Sequence, residues 1–324
     1  MEKEISRREE EDITGNSVYA DLMNDVAFRW VFGRESNKDL LKDLLETFIP
    51  ELKIKDLTYS KDKQVGFDPK LKKSVFDISC LTDSGKYVDI EVQVKPQDYF
   101  ADRCLYYATY LIQEQLQSGS STYDLKPVYI FSIDSFSRPH SAGWGEDRIV
   151  STYSIREDEC LELLTGSLRF VFVELDRFRK KKWEDLDNDR ERYYFCLKHL
   201  HELKEKMPEY VTGKFARLVE QARLCGMPIE IRKQYISAMV TEMDRIAQDR
   251  YVERVAREKA LVEGREKGLA EGLAEGRAVG LAEGRAEGEA RKQCEIAKAM
   301  KTAGIAIETI ASCTGLSVEQ IMNL

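Results

Sequence analysis

The feature that most constrains the fold is an alternating run at residues 88–95. It reads Val88-Asp89-Ile90-Glu91-Val92-Gln93-Val94-Lys95. Because successive side chains of a strand point to opposite faces, the acidic, amide and lysine side chains share one face and the aliphatic side chains share the other. The run at 74–81 precedes the turn residues 83–85, so the pattern predicts a hairpin of 74–81 and 86–95 with one core face and one polar face.

The elements around this hairpin predict an α/β fold. Apolar residues at helical spacing between Asp21 and Pro50 indicate two helices broken near Gly33. The other predicted elements are a strand at 53–59, a helix at 99–117, and buried strands at 127–133 and 168–175. This order predicts a mixed sheet flanked by helices, followed by an all-α C-terminal region with a long helix.

Shifts in composition divide the chain into five parts. We predict a polar tail at 1–17, an α/β domain at 18–180, a helical extension at 181–250, a Gly/Ala/Glu repeat helix at 251–292 and a small helical module at 293–324. In the last part, Ile305–Thr314 and Ser317–Leu324 resemble a helix-turn-helix. Its few lysines favour packing or assembly over DNA recognition.

Composition excludes several classes of protein. The 324 residues carry a net charge of −8 and 33% charged residues, which is typical of a globular protein with a charged exterior. No apolar run is long enough for a membrane helix and the N-terminus lacks the pattern of a signal peptide, so we expect a cytoplasmic protein. The seven cysteines form no C-x-x-C pair and the three histidines do not converge. We therefore expect carboxylates to hold any metal, and we expect no organic cofactor.

The polar face of the hairpin is the candidate site. Pairing of the two strands brings Asp77 close to Glu91, and these carboxylates with the Val92 carbonyl are the oxygen ligands that Mg²⁺ or Mn²⁺ prefers. Gln93, two residues beyond Glu91, is placed to orient an attacking water. The alternative is an ordinary hairpin with a solvated charged face.

A family resemblance adds to this interpretation. Asp77, a 13-residue gap and Glu91-Val92-Gln93, after the helix motif at 24–33, resemble the PD-(D/E)XK nuclease superfamily. The sequence looks most like the bacterial recombination-promoting nuclease and putative transposase family. The similarity covers roughly residues 20–180 and continues through 103–107, 126–130 and 170–175. It implies a restriction-endonuclease-like mixed sheet.

The resemblance also implies roles for individual residues. Asp77 and Glu91 correspond to metal ligands, Asp25 to an acidic residue directed at the metal or its water, and Gln93 replaces the lysine of the superfamily. A neutral amide neither neutralises charge on the phosphoryl group nor takes up a proton. Lys95 and Arg103 are candidate phosphate contacts.

Several of these residues have simpler interpretations. Asp25 can pair with Arg29, and Arg103 can pair with Asp98 or Asp102. We expect Asp89 to be a surface charge rather than a carboxylate supporting the site. The tyrosines of the same helix are expected to be core or groove-edge residues rather than base-stacking groups; they are Tyr106, Tyr107 and Tyr110.

The implied activity is a metal-dependent DNA endonuclease that hydrolyses phosphodiester bonds in recombination or transposition-like processing. Two alternatives stay open: a weak or inactive nuclease fold acting as a DNA-associated assembly module, and a nuclease acting on RNA. The acidic net charge opposes DNA binding. Two basic stretches compensate locally, one at 50–75 with a net charge of +3 and one formed by Arg177, Arg179, Lys180, Lys181 and Lys182.

The repeat at 251–292 predicts self-association. Seven glycines recur every fourth residue from Gly264 to Gly288, and nine basic residues balance nine acidic ones. Small residues let helices approach closely, so we expect a homo-oligomer formed through this segment. A flexible tether or a single solvated helix is the alternative.

Overall fold

The computed structural model describes residues 13–60, 78–116, 122–141 and 143–324. Within them, a mixed sheet has the strand order β1-β2-β3-β4-β6-β5. The strands are β1 Leu57–Tyr59, β2 Ile78–Thr82, β3 Tyr87–Gln93, β4 Val128–Asp134, β5 Val150–Ser154 and β6 Leu168–Glu174. β3, β4 and β6 are mutually parallel, whereas β1, β2 and β5 pair antiparallel with their neighbours.

Helices flank this sheet and form the C-terminal region, as the sequence predicts. They are α1 Asp25–Phe32, α2 Lys38–Phe48, α3 Phe100–Gln113, α4 Asp189–Lys198, α5 Gly213–Gln221, α6 Ile229–Thr302, α7 Ile307–Thr314 and α8 Val318–Met322. The predicted α/β class with a mixed sheet and a long C-terminal helix is confirmed.

The hairpin is confirmed where the structure describes it. Cys80 lies opposite Val88, and Ser79 lies opposite Asp89. Residues 74–77, including the candidate ligand Asp77, lie outside the described residues. Two strand predictions need correction. The strand expected from residue 53 begins at Leu57 because Lys53 adopts a left-handed backbone conformation with φ 48° after a short 3₁₀ turn, and β5 was not predicted.

The two faces of the sheet pack against different helices. On one face, Val88, Ile90 and Val92 join a large core with apolar residues of α1, α2, α4 and α5. On the other face, α3 packs its buried residues against β4 and β6. This second cluster contains Phe100, Cys104, Ala108, Leu111, Val128, Ile130, Leu168 and Phe172.

The alternative of an ordinary hairpin with a solvated charged face is therefore wrong for β3. Asp89 is 0% exposed and Glu91 is 4% exposed, so Asp89 is not a surface charge. The reason is topological: β3 and β4 are parallel, and a parallel connection must cross the sheet. The crossing helix α3 covers the face that carries Asp89 and Glu91.

The chain divides into two compact units, residues 1–243 and 244–324, with the boundary inside α6. In the second unit, Ala297, Ile310 and Ile321 form a small core joining the end of α6 to α7 and α8. A capping box of Ser317 and Gln320 begins α8. No helix among the described residues is long and apolar enough to cross a membrane.

Candidate functional site

Polar side chains gather where the three parallel strands end. Gln93 of β3 lies in register with Asp134 of β4, and Asp134 lies in register with Glu174 of β6. Two residues earlier along the strands, Glu91 is opposite Ser132. Because β3, β4 and β6 run the same way, their carboxyl ends meet at one edge of the sheet, on the face that α3 covers.

Glu91 has a neutral and a cationic neighbour. The Gln93 amide Nε2 donates a hydrogen bond to Glu91 Oε2 at 3.2 Å, and Arg103 Nη2 of α3 lies 3.7 Å from the same oxygen. The Arg103 guanidinium also lies 5.0 Å from the ring of Phe100 and 5.6 Å from that of Tyr107. Arg103 therefore places beside Glu91 the positive charge that Gln93 does not carry.

This contact decides among the partners considered for Arg103. Its guanidinium donates to Gln97 and pairs with Glu91, rather than with Asp98 or Asp102. Residues 98 and 102 are neighbours of Arg103 along the chain, whereas Glu91 lies on another element. The pairing of Arg103 with Glu91 therefore depends on how α3 packs across β3 and not on a local sequence pattern.

Asp134 is a buried carboxylate that sequence reasoning missed. Its Oδ1 accepts a hydrogen bond from Ser132 Oγ at 2.6 Å, and its Oδ2 lies 3.3 Å from Arg138 Nη2. Burial raises the pKa of Asp134 to about 6, although the Ser132 hydrogen bond and the charge of Arg138 act in the opposite direction. The available signal was the pair of polar residues two apart at the end of a buried strand, the same spacing as Glu91 and Gln93.

Glu174 is held by three side chains. Oε1 lies 2.7 Å from His140 Nε2 and 3.5 Å from Arg138 Nε, and Oε2 accepts a hydrogen bond from Arg177 Nε at 2.6 Å. Buried charges require such pairing. Glu174 thereby ties the segment after β4 and the segment after β6 to one edge of the sheet. The ring of His140 in turn stacks on Trp144, with centroids 3.8 Å apart.

The other predicted site residues have different surroundings. Asp25, the first residue of α1, has a side chain 52% exposed and lies 3.9 Å from Arg29, the simpler of its two expected interactions. Lys95, two residues beyond β3, lies 3.5 Å from Glu242 of α6. The Val92 side chain is buried in the large core. Roles for these residues at a metal or phosphate stay predictions.

The tyrosines of α3 differ in burial: Tyr110 is buried, Tyr107 is half-buried and Tyr106 is exposed. The hydroxyl groups of Tyr106 and Tyr110 are hydrogen-bonded to each other, and their rings meet edge to face at 5.0 Å. Burial raises the pKa of Tyr107, and the nearby Glu91 carboxylate adds to that effect.

The donor chemistry of the site fits a hard divalent cation. Glu91 supplies a nearly buried anionic oxygen, the ligand type that Mg²⁺ and Mn²⁺ prefer. Across 13–60, 78–116, 122–141 and 143–324, no group of three or more His, Cys, Asp or Glu side chains is placed to hold a metal. The second carboxylate of the predicted pair, Asp77, lies outside these ranges.

Comparison with known proteins identifies one relationship. A family model described as PD-(D/E)XK nuclease family transposase matches residues 22–251. The match contains the whole sheet, α1 to α5 and the first part of α6. Neither curated proteins nor solved structures give a match.

Proposed function

Since the chain belongs to the PD-(D/E)XK nuclease family of transposases, we propose that it is a metal-dependent endonuclease that hydrolyses phosphodiester bonds of DNA during recombination or transposition-like processing. The observation that carries this proposal is the buried Glu91 carboxylate between Gln93 and Arg103 at the edge where the parallel strands end. A buried carboxylate beside a polar, cationic cluster is a common arrangement at functional sites.

In this proposal, Asp77, Glu91 and the Val92 carbonyl would hold Mg²⁺ or Mn²⁺. The bound ion would lower the pKa of a water and stabilise charge on a phosphoryl oxygen. Gln93 orients the attacking water: its Nε2 donates to Glu91, so its amide oxygen is the group that accepts a hydrogen bond from water. An amide positions water without taking its proton.

Arg103 supplies the positive charge of the site. In the lysine-containing superfamily pattern that charge comes from the strand, whereas here position 93 is neutral and the cation comes from α3, 3.7 Å from Glu91. A guanidinium stays protonated at all physiological pH values and fits phosphate oxygens in a bidentate manner. We assign to Arg103 the stabilisation of phosphate charge. Lys95 would contact phosphate farther from the scissile bond, and Asp25 would act on the metal or its water from a greater distance.

Cleavage of supercoiled and linear DNA with Mg²⁺ tests the proposal. Asp77→Ala and Glu91→Ala should each abolish nicking and cutting because each removes an anionic ligand, while Asp25→Ala should weaken activity less. Asp158→Ala, at an exposed carboxylate after β5, is the matched control and should cleave like wild type. Full activity in both ligand variants, with unchanged circular dichroism, would contradict the assignment.

We further propose that residues 251–292 join copies of this chain. Throughout this segment of α6 the side chains are exposed, including Leu261, Leu269, Leu273 and Leu281. A Cβ at any of its glycines would meet no atom within 4 Å other than the adjacent backbone of α6 itself. The single chain therefore does not require glycine there, whereas close approach of a second helix would.

A further inference from the structure

The structure separates the five cations of the second basic stretch into two groups. Arg177 donates to the buried Glu174 at 2.6 Å. Lys180 pairs with Asp187 and with Glu191, each at 2.7 Å. These two cations are used within the fold. The remaining three side chains, Arg179, Lys181 and Lys182, are exposed.

The backbone that carries these three side chains is anchored on both sides. Phe178 is buried against Tyr194, with centroids 5.3 Å apart, and the ring of Trp183 packs edge to face on Phe195 and Phe215 at 5.6 Å. Residues 179–182 lie between these two aromatic anchors. We call this segment the basic loop.

The Lys198 side chain of α4 holds the backbone just before the basic loop. Its ammonium donates to the carbonyl oxygens of Leu175 at 2.8 Å, Asp176 at 3.2 Å and Phe178 at 2.9 Å. These three bonds hold the backbone of residues 175–178, directly before the basic loop. Together with the two aromatic anchors they limit the freedom of the basic loop, which lowers the ordering cost of binding a ligand there.

The exposed cations stay available for an external partner. In the described part of the chain, no ion pair within 4 Å and no side-chain hydrogen bond engages Arg179, Lys181 or Lys182. Burial lowers the pKa of Lys198, and the positive charges of Arg179 and Lys181 lower it further. The Tyr210 hydrogen bond lowers the pKa of Glu184, and Lys182 contributes weakly to the same effect.

Backbone geometry sets an upper limit on the distance between the basic loop and the candidate site. Gln93 and Glu174 are two strands apart in one register row, which corresponds to about 10 Å. Arg179 follows Glu174 by five residues, a reach of at most about 18 Å. The Cα atoms of Gln93 and Arg179 are therefore within about 28 Å, the length of roughly eight nucleotides of one duplex strand.

We propose that Arg179, Lys181 and Lys182 bind the phosphate backbone of duplex DNA within about eight base pairs of the bond that the site cleaves. The inference rests on the proposed function for its substrate class. It also explains how a chain with a net charge of −8 meets a polyanion: attraction is local, at an anchored loop whose one other cation, Lys180, is already paired.

Binding without cleavage tests the proposal directly. The full chain is titrated into a fluorescein-labelled duplex in EDTA at several KCl concentrations, and anisotropy gives the affinity and its salt dependence. The triple variant Arg179→Ala/Lys181→Ala/Lys182→Ala should bind at least about tenfold more weakly, and its log-log salt slope should fall by about 0.9 for each phosphate that the basic loop no longer neutralises. In Mg²⁺ cleavage assays, KM should rise while kcat changes little.

The matched control removes two exposed lysines outside both basic stretches. Lys204 and Lys206 follow α4, and both side chains are exposed. Lys204→Ala/Lys206→Ala should bind like wild type. Unchanged affinity and slope in the triple variant, an equal loss in the control, absence of wild-type binding, or preference for an RNA duplex would each overturn the inference. If wild-type protein binds through the basic loop but does not cleave, only the proposed activity fails.

Discussion

At the residue scale, the charge of Glu91 is balanced from a neighbouring helix. Gln93 shares the Oε2 atom of Glu91 with Arg103, so an amide and a guanidinium together occupy the place that one lysine takes in the superfamily pattern. In the proposed mechanism, this division would let position 93 orient water while the cation stays attached to α3. The two functions can therefore be separated by mutation.

We expect Gln93→Ala to reduce the cleavage rate while Mg²⁺ affinity stays nearly unchanged, because the amide orients water and is not a ligand. A loss on the order of tenfold to a hundredfold in activity is typical for a group that supports a metal site without binding the ion. Gln93→Lys restores the superfamily pattern and should retain activity. Cleavage at the wild-type rate by Gln93→Ala, measured on the same DNA, would remove Gln93 from the mechanism and make Lys95 the next candidate.

Asp134 should give the protein a pH-dependent stability. Because burial raises its pKa to about 6, the folded protein keeps a proton that the unfolded chain releases near pH 4. Stability should therefore fall as pH rises from about 4 to about 6 and then level off, by no more than about 3 kcal/mol. Asp134→Asn cannot titrate, so its urea unfolding free energy should lack this decline. Parallel pH profiles for both proteins would contradict the assignment.

At the scale of elements, the sequence predicts most of the central strands and the helix after the hairpin. Alternation identified β3, and continuous apolar runs identified β4 and β6, because these patterns are local. The face to which α3 returns was not predicted, although it decides that Asp89 and Glu91 are buried. That outcome depends on the parallel pairing of β3 and β4, which is a long-range property.

The failure to predict Asp134 and Glu174 as part of the site has the same cause. Asp134 and Glu174 lie side by side only because β4 and β6 pair in register. In the sequence β5 lies between these two strands, but in the sheet it lies outside them. Each residue taken alone is one acid at the end of an apolar run. Arg138 and His140 lie in a segment without regular periodicity, so no pattern marks them as partners of Glu174. Prediction succeeded where a residue's position follows from its own strand and failed where it follows from register between distant strands.

At the scale of the whole molecule, α6 begins as part of one compact unit and ends as part of another. Tyr235 and Ile236 are buried with Ala20 and Ala27 near its start, and Ala297 is buried near its end. Between them, 251–292 is exposed on every face of the single chain. A helix of 74 residues with seven glycines in this segment loses about 1 kcal/mol per glycine relative to alanine. Contact with a second copy would offset that cost.

Light scattering of the full chain and of a chain ending at residue 250 measures this contact. We expect the full chain to self-associate at micromolar concentration and the shortened chain to be monomeric, because the shortened chain keeps the buried start of α6 but lacks the glycine stripe. Gly268→Ala/Gly272→Ala provides an independent arm: it should raise helix content, since alanine is the better helix former, and weaken self-association, since methyl groups hold two backbones apart. Two monomeric chains would contradict the assembly role. Unweakened association in the alanine variant would instead assign the contact to the exposed leucines of α6.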